Sequence, residues 1–154
     1  MNKKMILSLV DKVIKVDRGG PESRVGRLLA AHEDHITLLT EDEGIIYYKT
    51  QHIKSLTLNA KNESEFDFEV PRGFKFITAK DFKSVLEKLN HRWVKINRGG
   101  PETLEGIIVM DDVNDDFITI VSHEEIIKLS MFHIRNISYG VKVGKSKKDE
   151  NKKR

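Results

Sequence analysis

The residues of this chain that could do chemistry are few, and the most conspicuous recur. Arg18-Gly19-Gly20-Pro21-Glu22 returns 80 positions later as Arg98-Gly99-Gly100-Pro101-Glu102. Gly-Gly before Pro makes a stiff turn. The glycines take backbone angles closed to other residues, and the proline fixes its own φ and pushes the preceding residue out of the helical region. Geometry does not require Arg and Glu at the ends, yet both recur, and Glu22 is expected to point outward. An Arg and a Glu beside glycine amides form a small two-signed recognition patch, and successive N–H groups can hold an anion. These ten residues are the candidate interaction turns, for other proteins or for other copies of this chain. On this reading, replacing Arg18 and Arg98 with Ala weakens assembly and leaves the circular dichroism melt intact.

The remaining candidates lead away from catalysis. Asp112, Asn114 and Asp116 alternate like the start of a calcium loop. Phe117 stands where glycine is needed and no correctly placed Glu follows, so an acidic hairpin turn is expected. His32 and His35 have no clear companion ligands, and no His-Glu-x-x-His motif exists, so no zinc is expected. His52 and His133 recur before the last strand of each repeat and are expected to close a tight turn by hydrogen bonding. Tyr47 and Tyr48 could stack on bases. Alternation in a strand is expected to send one to the core and one to solvent. No Gly-rich phosphate loop is found, and the absence of Cys rules out disulfides, thiol catalysis and Cys-ligated zinc. No catalytic, cofactor-binding or metal-ligating residue is assigned. The chain is not expected to be an enzyme or to bind a small-molecule substrate.

The repeat extends well beyond the turns. Between 13 and 29, seven of 17 positions are identical to those 80 residues on, Lys15 and Gly26 among them. Ile36-Thr37 answers Ile118-Thr119 at offset 82, and His52-Ile53-Lys54 answers His133-Ile134-Arg135 at offset 81. This is a duplicated module. Each copy opens with a helical spacing of apolar residues: Met5, Ile6, Leu9, Val10 and Val13, then Phe82, Val85, Leu86, Leu89 and Trp93. Thr78-Ala79-Lys80-Asp81 resembles a capping box. Short strands follow, near 13–17, 24–32, 35–41, 44–49 and 53–58, and near 93–97, 104–111, 116–121, 124–130 and 134–139. Glu33-Asp34, Asp42-Glu43 and Asn114-Asp115 look like hairpin turns. Gly26 and Gly106, inside strands, are expected to mark a bend or bulge.

One helix and five short strands in so short a span suggest a mainly β chain of two tandem small Sm-like or SH3-like β-barrels. That likeness concerns fold and not function. The expected division is a first barrel at 1–60, a connector at 61–77, a second barrel at 78–144 and a disordered basic tail at 145–154. Phe66, Phe68 and Val70 alternate, as do Phe74 and Phe76 after Pro71-Arg72-Gly73. The connector is therefore expected to be an ordered aromatic strap rather than a flexible linker. Modules this small bury little surface alone and are expected to pack together.

The net charge of +3 does not mean a basic face. Residues 145–154 hold six bases and two acids, leaving 21 bases and 22 acids, a net of −1, for the rest of the 154 residues. Nucleic-acid binding needs phosphate-neutralising cations gathered on one surface and is not expected here. The longest apolar runs are a few residues, so no membrane span is expected. The N-terminus lacks an apolar stretch with a cleavage site, so no signal peptide is expected either.

Val-Asp-Arg-Gly-Gly-Pro-Glu-Ser from Val16 and Trp-Val-Lys-Ile-Asn-Arg-Gly-Gly-Pro-Glu from Trp93, with Ile45-Ile46-Tyr47-Tyr48 and Phe132-His133-Ile134-Arg135, resemble the spore coat protein B (CotB) family of Bacillus. The likeness covers most of 5–140. It implies a structural component of the outer coat of bacterial endospores, made in the mother-cell cytoplasm and deposited on the forespore. Its implied partners are other coat proteins, with no catalytic activity. The longer family member carries three such modules and a long tail rich in Ser and Lys that resembles a kinase substrate. Here there are two modules, and the ten-residue tail has one serine, Ser146, so tail phosphorylation is not carried over. The alternative from another class is an Sm-like nucleic-acid-binding protein.

Overall fold

The computed structural model of the chain describes residues 2–58, 70, 73–110 and 116–139. The first half runs α1 (Lys3–Leu7), β1 (Val13–Val16), β2 (Arg24–Ala31), β3 (His35–Thr40), β4 (Gly44–Lys49), a one-turn 3-10 helix (Thr50–His52) and β5 (Leu56–Thr57). The second repeats it as α2 (Phe82–Lys88), β6 (Trp93–Ile96), β7 (Leu104–Val109), β8 (Phe117–Ser122), β9 (Glu125–Ser130), a 3-10 turn (Met131–His133) and β10 (Asn136–Ser138). The helical spacing up to Val13 overstates α1. The chain leaves the helix after Leu7, and Asp11 turns back at φ 73° to donate its N–H to Leu28 O at 2.8 Å. His91 does the same at φ 70°, donating to Ile108 O at 2.8 Å. Leu9 and Val10 thus pack on the core from a turn. The capping box is also corrected: Asp81 is itself the N-cap, accepting from the Ser84 N–H at 2.8 Å.

The strands form one ten-stranded antiparallel sheet in the order β5-β1-β2-β3-β4-β10-β6-β7-β8-β9. The fold is mainly β with short helices, but two closed barrels are not what the pairing makes. Within each half the last strand pairs beside the first, and among the described residues it is not paired with the fourth. The edge of β4 is taken instead by the last strand of the other half. Asn136 lies opposite Tyr48, Ile137 opposite Tyr47 and Ser138 opposite Ile46. The sheet therefore stays open, with β5 at one end and β9 at the other.

That junction explains the burial of β3 and β4, in which every residue is buried. One face, Ile36, Leu38, Ile46 and Tyr48, packs in the first core with Ile6 of α1. The opposite face, Leu39, Ile45 and Tyr47, belongs to a core with Phe82, Val85 and Leu86 of α2 and with Ile108, Ile118 and Ile120. Strands covered on both sides read as near-continuous apolar runs, as Gly44-Ile45-Ile46-Tyr47-Tyr48 does. Both tyrosines are consequently buried, 1% and 4% exposed, so neither faces solvent as strand alternation suggested. Each such side chain contributes about 1.5–3 kcal/mol through burial.

Val70, Phe74, Phe76 and Ile77 pack, partly buried, against the second core, and the Ile77 N–H donates to Tyr47 Oη at 2.9 Å. Phe66, Phe68, Asp112, Asn114, the Asn114-Asp115 turn and the 145–154 tail lie outside the described residues. Gly26 and Gly106 mark no bulge. The irregularity in β2 falls between Leu28 and Ala30. At these glycines the next strand presses close: an added Cβ would lie under 3.0 Å from Leu39 O or Val121 O, respectively. Among the described residues, no helix is long and apolar enough to cross a membrane.

Candidate interaction site

The β4–β10 pairing brings the two Gly-Gly-Pro turns against each other. A Cβ on Gly99, where φ is +93°, would collide with Pro21 O, and one on Gly100 would collide with the Glu22 carboxylate. Glu22 does not point outward. Its carboxylate accepts from Arg135 Nε at 2.9 and 3.1 Å and from Asn136 Nδ2 at 2.7 Å. Arg135 also donates to Pro101 O, tying the first turn, the approach to β10 and the second turn together.

A buried arginine completes the joint. Arg24, 8% exposed, donates from Nε to Glu43 Oε2 at 3.0 Å, from Nη1 to Tyr48 Oη at 2.9 Å and from Nη2 to Arg98 O at 2.6 Å. Tyr48 in turn donates to Glu22 O at 2.9 Å. A buried cation is stable only when paired and hydrogen-bonded, and Arg24 is both. Further along, the Lys49 N–H donates to Arg135 O at 3.0 Å and its ammonium donates to Met131 O. His52 Nε2 stands 3.0 Å from Phe132 O, so this histidine contacts the other half instead of closing its own turn. The His133 ring packs edge-on against Phe132, while its carbonyl accepts from Asn97 Nδ2 at 2.9 Å.

A matched pair of residues that sequence reasoning did not single out sets this geometry. Asp17 and Asn97 stand 80 positions apart, just before each turn, with φ of 60° and 52°. Asp and Asn tolerate this left-handed conformation better than other side-chain-bearing residues. Asp17 Oδ1 accepts from Lys54 N at 2.8 Å and Ser55 N at 3.4 Å, holding the approach to β5. Asn97 Oδ1 accepts from Arg135 N at 2.8 Å and Asn136 N at 3.4 Å, holding the approach to β10. Their place before a repeated turn was the available signal.

The two turns are thus alike in sequence and unlike in surroundings. Arg18, Gly19, Gly20 and Pro21 are exposed, while Glu22 is half-buried in the joint. In the second turn Arg98 and Gly100 are half-buried, and Gly99, Pro101 and Glu102 are exposed. His32 and His35 stack at 4.8 Å, with His35 buried and its Nδ1 3.0 Å from Asp34 Oδ1. Among the described residues, no group of three or more His, Cys, Asp or Glu could hold a metal ion.

The Glu22–Arg135 pair sits at 16% and 23% side-chain exposure. Glu22→Ala removes the carboxylate that accepts from Arg135 Nε and Asn136 Nδ2, and is expected to cost about 2–3 kcal/mol. Glu102→Ala removes the equivalent exposed residue and is expected to stay within about 0.5 kcal/mol. Urea denaturation of the two variants checks the contrast.

Burial brings Lys49 down from 10.5 to about 8 and pushes Tyr47 and Tyr48 up from 10.0 to about 12. Between about 8 and 10.5 the unfolded chain holds a proton on Lys49 that the folded chain has lost, so stability rises with pH there. From about 10 to 12 the unfolded tyrosines lose protons that the folded ones keep, so stability falls. The expected melting temperature therefore climbs from pH 8 to near 10, by on the order of 2 kcal/mol of stability, and drops beyond. Thermal melts of Lys49→Met across this range should lack the climb.

No family model and no solved structure matches the chain. Over 146 residues, 95% of its length, the chain is 38% identical to Spore coat protein B of Bacillus subtilis (strain 168). This supports its assignment to the spore coat protein B family. The matched region is 37% of that protein, so the chain spans little more than a third of its relative's length.

Proposed function

We propose that this chain, a member of the spore coat protein B family, is a non-catalytic structural component of the endospore's outer coat, made in the mother cell and assembled through protein–protein contacts. The observation that carries the reading is the 38% identity extending over 95% of the chain, both repeats included. Its partners are other coat proteins and further copies of itself. Each half acts as an Sm-like module, a short helix followed by five strands, with 1–60 and 78–144 as modules, 61–77 as the strap and 145–154 as an accessory basic tail. What the two halves supply is a rigid unit with recurrent turns and sheet edges, a shape suited to packing in a layer. The Sm-like order also belongs to nucleic-acid binders, but the net charge of −1 outside the tail disfavours that partner.

A fluorescent fusion of the whole chain in sporulating cells tests the proposal. The expected result is a shell around the forespore, formed equally by a 1–144 truncation. Diffuse or nucleoid-associated signal would overturn the coat reading and favour nucleic acid.

A further inference from the structure

The chain contains a template for its own propagation. The fourth strand of the first half, β4, takes the last strand of the second, β10. Moved by the repeat offset of 81, the same contact would join β9 to β5. These two strands are the ends of the sheet, β9 paired only with β8 and β5 only with β1 among the described residues. One molecule cannot join them without giving up its open form, but two copies can. We infer that copies of this chain associate head to tail, the β9 edge of one receiving β5 of the next in the way β4 receives β10. The inference deepens the coat reading by naming a second copy as partner.

The surfaces left over are the complementary halves of that contact. Ile45 is buried at the internal junction, 8% exposed, while its counterpart Ile126 on β9 is 71% exposed. Val85 on α2 is 0% exposed, while its counterpart Met5 on α1 is 44% exposed. Trp93, Ile107, Val121 and Ile126 stand in register across β6, β7, β8 and β9. In the first half the corresponding Leu39 and Ile45 are covered by the core that includes α2. An apolar row beside an unpaired strand edge is an association surface.

Charge agrees. The counterparts of Glu22 and Arg135 are Glu102, in the β6–β7 turn, and Lys54, before β5, both exposed. Copies joined in this way would bring Glu102 of one to Lys54 of the next, as the internal contact brings Glu22 to Arg135. A contact between unlike surfaces builds rings or open filaments instead of two-fold dimers.

Sedimentation velocity of the full chain over a range of concentrations is the test. The wild type should grow past a dimer as concentration rises. Ile126→Asp and Met5→Asp, each at an exposed position and each checked for an unchanged circular dichroism spectrum, should be monomeric alone. Mixed, they should form one-to-one dimers and nothing larger, because each retains one intact end. Glu102→Lys should raise the concentration for half-assembly by roughly tenfold, and adding Lys54→Glu should reverse this. A wild type that stays monomeric, single variants that assemble like wild type, or a mixture that stays monomeric would each overturn the inference. A monomeric chain whose fusion still forms a shell overturns self-association alone. An assembling chain whose fusion is diffuse overturns the coat reading alone.

Discussion

Gly99→Ala should destabilise the protein by about 3 kcal/mol, while Gly19→Ala, the same position in the first turn, should cost less than about 0.5 kcal/mol. Gly99 sits at φ +93°, and a methyl there would run into the carbonyl of Pro21. The obstacle is backbone belonging to the opposite turn, itself held by Glu22, so it cannot swing aside like the end of a long side chain. Gly19 has open space around its would-be Cβ. In a chain of this length the loss at Gly99 corresponds to a melting point lower by roughly 6–12 °C. Equal melting points for the two variants would mean that the turns do not interlock.

Gly106→Ala and Gly26→Ala are expected to cost about 3 kcal/mol or more each. A Cβ at Gly106 meets Val121 O, the Ile120 side chain and Ser122, and one at Gly26 meets Leu39 O and the Leu38 side chain. Relief in either case requires β7 to part from β8, or β2 from β3. Each pairing anchors a core strand, so the damage should reach the whole fold as a lowered urea midpoint. A midpoint near wild type for either variant would show that these strands can separate slightly without loss.

Strand positions are largely legible in the sequence, because apolar alternation and turn residues act locally. The recurrence of the turn pentapeptide 80 positions on is legible there as well. What local pattern could not convey was which edge each strand would take. The expectation of closed barrels assumed that a module satisfies its own edge. The fourth strand, Gly44–Lys49, is instead completed by the other repeat. The clue lay in Ile45 to Tyr48, apolar on both faces where a solvated barrel strand would alternate. Their counterparts Ile126 and Lys128 are exposed. Glu22 and Glu102 occupy identical pentapeptides, and only the third dimension makes one an internal anchor and leaves the other at the surface. Asp17 and Asn97 give no such sign, because their role lies in a left-handed backbone and two distant N–H groups, neither of which leaves a periodic trace.

Native-state hydrogen exchange at the Lys49 amide tests the central claim most directly, that the repeats form one sheet through β4 and β10. This N–H donates to Arg135 O at 3.0 Å, across the joint between the halves. If the joint is part of the cooperative fold, Lys49 exchanges only by global opening, as slowly as the core amides of β3, and Glu22→Ala speeds both together. Exchange at Lys49 orders of magnitude faster than in β3 would mean that the halves part while each stays folded, and would contradict the account.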